Sequence, residues 1–222
     1  MGTISLRRRV DPFLGTEVFE VKLDEEFLMS SLFTTGEVEL ARLGLAELAG
    51  DSLDVVVGGL GLGYTARTVL DDPRVRSLIV VEALSPVIEW HEQQLLPDTA
   101  GLASDSRTRL VRGDFFAMLN LDTGLDPAAP GRRFHAILVD IDHTPRHVLH
   151  PTHTNFYTPE GLRRLARWLC PGGVFALWSD DPPDADFTAV LEQVFDTVQA
   201  HVVTFANPYT GGESSNTVYV AV

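Results

Sequence analysis

The chain has 222 residues, 45% of them hydrophobic, and a formal net charge of −14. That length suits one domain with a sizeable core, and the acidic balance argues against a nucleic-acid partner while leaving room for a small cationic substrate or for solubility alone. No apolar run reaches the ~18 residues of a membrane span, and the single cysteine, Cys170, excludes an internal disulfide framework and fits a reducing cytoplasm.

Residues 1–34 read as a short β segment, a hairpin with Asp11-Pro12 and Leu14-Gly15 as turn signals and Thr16 to Leu23 alternating weakly. Met1 to Arg9 lacks the apolar stretch of a signal peptide, and Arg7-Arg8-Arg9 is too short for a nucleic-acid site. Glu37 to Leu48 has a broad apolar face and predicts a helix, with Thr35 as its cap and Glu37 and Glu39 near its positive end. The stretch that follows organises the chain. Leu53 to Val57 is an apolar, β-branched run suited to a strand covered on both faces. Gly58-Gly59-Leu60-Gly61-Leu62-Gly63 is a turn where a ligand can approach the backbone closely. Tyr64 to Leu70 is a helix whose first N–H groups point at that ligand. Leu78 to Val81 is a second strand with Glu82 at its tip, nineteen residues after Gly63, placed to accept hydrogen bonds from both hydroxyls of a ribose. A nucleoside-containing ligand is therefore expected.

Leu84 to Leu96 reads as a helix, and Thr108 to Val111 as a third strand followed by Gly113-Asp114 and the apolar run Phe115 to Leu119. Leu121 to Arg133 reads as a surface loop, and Phe134 to Asp140 as a fourth strand ending in an acid. Ile141 to Tyr157 is a long connection holding His143, His147, His150 and His153, a flexible gate over the ligand rather than a metal site, since the spacing is not that of a fixed-helix ligand set. Pro159 to Leu169 predicts a helix, Val174 to Trp178 a strand and Ala185 to Phe195 a helix. Trp168 and Trp178 read as core, Cys170 as structural, and Val198 to Phe205 and Asn216 to Val222 as closing strands. Alternating strands and helices predict an α/β, doubly wound, mostly parallel seven-stranded sheet over residues 35–222, with the last strand antiparallel. In such a sheet the glycine turn, Glu82, Asp114 and Asp140 all fall on the one edge where ligands bind.

These residues resemble an S-adenosylmethionine-dependent methyltransferase fold, a class I methyltransferase-like Rossmann domain. The finer resemblance is to the spermidine synthase (polyamine aminopropyltransferase) family. It is carried by Gly58-Gly59-x-Gly61-x-Gly63, Val81-Glu82, Gly113-Asp114, Asp140-Ile141-Asp142-His143-Thr144-Pro145, Asn155-Phe156-Tyr157 and Pro208-Tyr209-Thr210-Gly211. It implies that S-adenosylmethionine or its decarboxylated form is the co-substrate. Gly58, Gly59, Gly61, Gly63, Glu82, Asp114 and Phe115 would hold it, with Glu82 on the ribose and Asp114 on the adenine amino group. It implies that Asp140, paired with Asp142 if the strand continues, is the base or orienter for an attacking amine. The residues agree in part: an amine must lose a proton as it attacks, and a carboxylate both accepts that proton and attracts a cation. The alternative for Asp140 is an acid capping the next turn. Tyr157 and Tyr209 become substrate-binding candidates, although a surface turn serves Tyr209 equally well. Gly61 and Leu84 stand where the family has acids.

The leading function is thus aminopropyl or methyl transfer to a small acceptor such as a polyamine. The alternatives are a methyltransferase of unknown acceptor, a nicotinamide-dependent oxidoreductase and a non-catalytic nucleoside-binding module. No nucleic acid, membrane or metal is expected. A homodimer is expected from the free edges of the short N-terminal strands.

Overall fold

A computed structural model describes residues 3–222. The N-terminal segment is a three-stranded antiparallel sheet: β1 (Ile4–Val10), β2 (Glu17–Leu23) and β3 (Glu26–Ser30). It thus adds one strand to the expected hairpin. Val18 and Val21 are buried and, with Phe19, turn the strand towards the rest of the protein.

After it come α1 (Thr35–Ala46), β4 (Leu53–Gly58), α2 (Tyr64–Asp71), β5 (Val75–Glu82), α3 (Ser85–Glu92), β6 (Thr108–Arg112), α4 (Phe115–Met118) and β7 (Phe134–Val139). The remainder is α5 (Pro159–Ala166), β8 (Leu169–Ser179), α6 (Ala185–Leu191), β9 (Val198–Asn207) and β10 (Gly212–Ala221). Seven strands make one sheet in the order β6-β5-β4-β7-β8-β10-β9. The pairs from β6 to β8 are parallel, and β10 lies antiparallel between β8 and β9.

Alternation along each strand divides the core. Val55, Val57, Leu138 and Val218 pack on the face covered by Leu40 and Leu45 of α1 and Val69 of α2. Val56, Ile137, Val139 and Phe175 pack on the opposite face with Leu162 and Leu165 of α5 and Leu191 of α6. A third cluster joins Phe19 and Val21 of β2 to Leu62 of the glycine turn and Leu96, so the small sheet docks directly on that turn. Each such buried side chain contributes about 1.5–3 kcal/mol.

Some local expectations change. Thr34, not Thr35, precedes the first turn of α1, and neither side chain caps it. The expected loop at 121–133 is not wholly at the surface: Leu125 and Asp126 are buried, with Asp126 bonded to Arg109 and to Arg132 (3.0 Å). Strand β8 begins earlier than expected because it pairs through Leu169 with Phe134 before shifting register. Trp168 and Trp178 are half-buried, each packed against one of the two core layers. Cys170 is a free, partly exposed thiol. Among the described residues no helix is long and apolar enough to cross a membrane.

Candidate active site

The strand order reverses at β4, with β5 on one side and β7 on the other. A crevice opens at such a point beyond the strand ends. The Asp140 N–H donates to the Gly58 carbonyl at 2.9 Å, and the Gly59 N–H donates to the Val81 carbonyl at 2.9 Å. The glycine turn therefore leaves from between the tips of β5 and β7. Gly59 has φ +94°, and a Cβ there would lie 2.0 Å from the Asp140 carbonyl oxygen, so only glycine fits. Phe115 is buried against Gly58.

Glu82 ends β5 and is 9% exposed. Its Oε2 accepts the Leu60 N–H at 3.0 Å and its Oε1 accepts the Leu84 N–H at 2.8 Å. Burial pushes its carboxyl pKa up, opposed by these backbone donors. Each oxygen keeps a further lone pair for a ligand hydroxyl. Three groups outside the predicted set hold the turn. His91 Nε2 donates to the Gly61 carbonyl (2.9 Å), the Thr99 hydroxyl donates to the Leu62 carbonyl (2.9 Å), and the Leu62 N–H donates to Met29 Sδ (3.2 Å). The proton on Nε2 is assigned because a carbonyl only accepts. Asp114 is exposed at the start of α4, where one oxygen accepts the Ala117 N–H at 3.1 Å. Its other oxygen is free to receive an amino group.

Asp140 follows the last residue of β7, and its Oδ2 accepts the Thr65 hydroxyl at 2.7 Å. Burial raises its pKa to about 6, with the Thr65 bond opposing. Glu37, in the first turn of α1, is 8% exposed, and burial and the charge of Asp140 raise its pKa to about 8. Asp180, just beyond β8, adds a third carboxylate and is held by Asn216 Nδ2 at 2.9 Å. Thus three acids from α1, β7 and β8 converge beside the glycine turn. The sequence marked only Asp140.

Three predicted residues have structural partners. Asp142 is 2% exposed, and its oxygens accept the Leu149 N–H (2.7 Å), His153 Nδ1–H (2.8 Å) and the Tyr157 hydroxyl (2.8 Å). It anchors the 141–157 connection and does not pair with Asp140, because β7 ends at Val139 and the two-residue alternation stops there. Tyr157 is a buried partner of Asp142, packed against Phe156 and Phe187. Tyr209 donates its hydroxyl to Asp11 at 2.6 Å and lies against Phe13 and Phe33, so it ties the β9–β10 turn to the N-terminal sheet. The four histidines of the connection have separate neighbours: His143 faces Glu26 (3.6 Å) and lies beside His147, His150 bonds Thr152, and His153 bonds Asp142. Among the described residues no group of three or more His, Cys, Asp or Glu side chains could hold a metal ion.

No family model matches the chain. A polyamine aminopropyltransferase 2 of Pseudomonas aeruginosa is 29% identical over 161 residues, which are 68% of this chain and 42% of that protein. The chain thus spans less than half the length of that curated relative. A spermidine synthase solved with the transition-state analogue AdoDATO superposes with a TM-score of 0.72 at 19% identity, over 97% of this chain and 69% of the other. Human methyltransferase-like protein 13, solved with SAH, superposes with a TM-score of 0.64 at 20% identity, over 84% and 81%. In sequence the chain is thus similar to a polyamine aminopropyltransferase, and its fold is that of the spermidine synthase and methyltransferase-like structures.

Proposed function

We propose that the chain is a transferase that moves an aminopropyl group from decarboxylated S-adenosylmethionine, or a methyl group from S-adenosylmethionine, to a small cationic amine. The observation that carries this reading is the position of Asp140: its backbone closes against Gly58 and Gly59 while its carboxylate stands in an acidic recess. On this reading a carboxylate stands at the border between a nucleoside site and a cation site. The donor fits the residues present: Glu82 would take its ribose, Asp114 the adenine amino group, and Phe115 the space under the turn. Bound there, the donor supplies an electrophilic carbon on a positively charged sulfur.

The amine enters as an ammonium and loses one proton to Asp140. Its nitrogen lone pair then forms the new C–N bond as the C–S bond breaks, and the sulfur leaves as a neutral thioether. A base of pKa about 6 is mostly ionised at pH 7 and close enough to neutrality to take a proton. The reading extends to a polyamine acceptor, a cytoplasmic setting and a homodimer.

The test is turnover of decarboxylated S-adenosylmethionine with putrescine, and of S-adenosylmethionine with a panel of amines. Asp140→Asn keeps the shape and removes the charge. It is expected to leave nucleoside binding nearly intact and lower turnover by ~10²-fold or more. In the parent, kcat/KM is expected to rise with pH through about 6 as the base ionises. Full activity in Asp140→Asn ends the base assignment, and a parent loaded with nucleoside but inert to every amine ends the amine reading.

A further inference from the structure

Glu37 is left unexplained by that reaction. An acid in the first turn of a helix is stabilised by the helix dipole while exposed to water, and nothing in that role calls for burying it. Here the residue is only 8% exposed, and the Thr65 hydroxyl that donates to Asp140 Oδ2 (2.7 Å) also reaches the Glu37 backbone carbonyl (3.3 Å), which ties the two acids together. Burying a carboxyl is costly. A polar group nearby is unmatched. Trp178 Nε1 is buried with no partner among the described residues. It lies over Gly36, where a Cβ would sit 2.4 Å from Nε1 and 2.7 Å from Asn216 Oδ1. Only glycine before Glu37 lets the indole and the asparagine come this close. Glu37, Asp140 and Asp180 thus cluster together, beside an unused indole N–H over Gly36.

We propose that Glu37 is a second proton-holding carboxylate of the acceptor site, sharing one substrate ammonium with Asp140. This rests on the amine-transfer reading above. In the empty site the pair holds one proton between two carboxyl groups. An arriving ammonium replaces it, so both carboxylates face the cation and one proton leaves to solvent. During transfer a second proton passes from the bound ammonium to the pair as the C–N bond forms. The nitrogen ends as a secondary ammonium with its charge unchanged, and the positive charge lost at sulfur is matched by the proton now held on the pair. A primary amine, with several N–H donors, suits two acceptors set on different elements; a neutral acceptor gains nothing from the second.

The pKa directions support this. The titratable groups acting on Glu37 are Asp140 and Asp180, both raising it, while Glu37 in turn raises Tyr64 of α2. With a pKa of about 8, Glu37 is mostly protonated at pH 7 in the empty site, and a cation lowers it.

The experiment is calorimetry on the whole chain, saturated with 5′-methylthioadenosine and titrated with putrescine at pH 7 in two buffers of different ionisation enthalpy. The parent is expected to release about one proton per amine bound, and to lose that release above about pH 9, where Glu37 is already ionised. Glu37→Gln is expected to keep the nucleoside affinity and melting temperature, release no proton, and bind putrescine at least ~10-fold more weakly. Glu37→Asp is expected to restore part of the release. A parent that binds putrescine without releasing a proton overturns the proposal with no variant needed. So does Glu37→Gln that matches the parent in release and affinity. A parent that binds no amine at all overturns the transfer reading and this proposal together.

Discussion

Replacing Asp142 by alanine separates a structural acid from a chemical one. Its carboxylate is 2% exposed and accepts from Leu149 N, His153 Nδ1 and the Tyr157 hydroxyl, all within 2.8 Å. Hydrogen bonds to a charged group contribute about 1.5–3 kcal/mol each. Their simple sum overstates the loss, since the desolvation cost of the carboxylate disappears with it. Tyr157, however, is also buried, so its hydroxyl is left without an acceptor. Breaking a buried charged network by removing one member costs about 3–5 kcal/mol. All three donors lie in 149–157, so the loss falls on the connection and not on the sheet. At 1.36 kcal/mol per decade, amide exchange through 143–157 should quicken by ~10²- to ~5 × 10³-fold. Hydrogen exchange read by mass spectrometry checks this, with β4, β5 and β7 as internal references. Nucleoside should bind Asp142→Ala more weakly only insofar as the connection must order over it. Parent-like exchange at 143–157, together with a loss of turnover as deep as that of Asp140→Asn, would refute the anchor role.

Two further outcomes bear on the nucleoside edge. Glu82→Ala should weaken binding of 5′-methylthioadenosine by about 1.5–3 kcal/mol, the range for bonds to a charged group; unchanged affinity by calorimetry would remove Glu82 from the ribose. Gly59→Ala places a methyl 2.0 Å from the Asp140 carbonyl oxygen at φ +94°, and should destabilise the fold by about 2 kcal/mol or more in urea titration. A parent-like midpoint would show that the turn relaxes freely.

The glycine turn and its acidic edge were legible because their parts are local. An apolar strand, a run of glycines and an acid at the next strand tip appear in order along the chain, and the sheet then brings Glu82, Asp114 and Asp140 to one side. The cluster around Glu37 was not. Glu37 reads as an ordinary helix-start acid, and its burial comes from the packing of α1 against β8 and β10, far away in sequence. Asp142 was misplaced because alternation was carried past Val139, where the strand stops. The partner of Tyr209 could not be read either: Asp11 is separated from it by nearly the whole chain. His91 and Thr99 carry no motif, and only the turn they support reveals them.

The antiparallel seat of β10 has a bearing on biosynthesis. Strand β8 pairs on one side with β7 and on the other with β10, and β9 pairs only with β10. As the chain leaves the ribosome, β4 to β8 can associate first, while β8 presents an open edge and β9 has no sheet to join. Residues 212–221 must then slot between them, a late, long-range pairing that slows folding. Asn216 travels on that strand, so the hydrogen bond that steadies Asp180 forms only at this last step. The glycine turn and Glu82 can therefore be in place in a nascent chain before Asn216 steadies Asp180, and a ligand bound at that turn would stabilise the half-built sheet until β10 arrives.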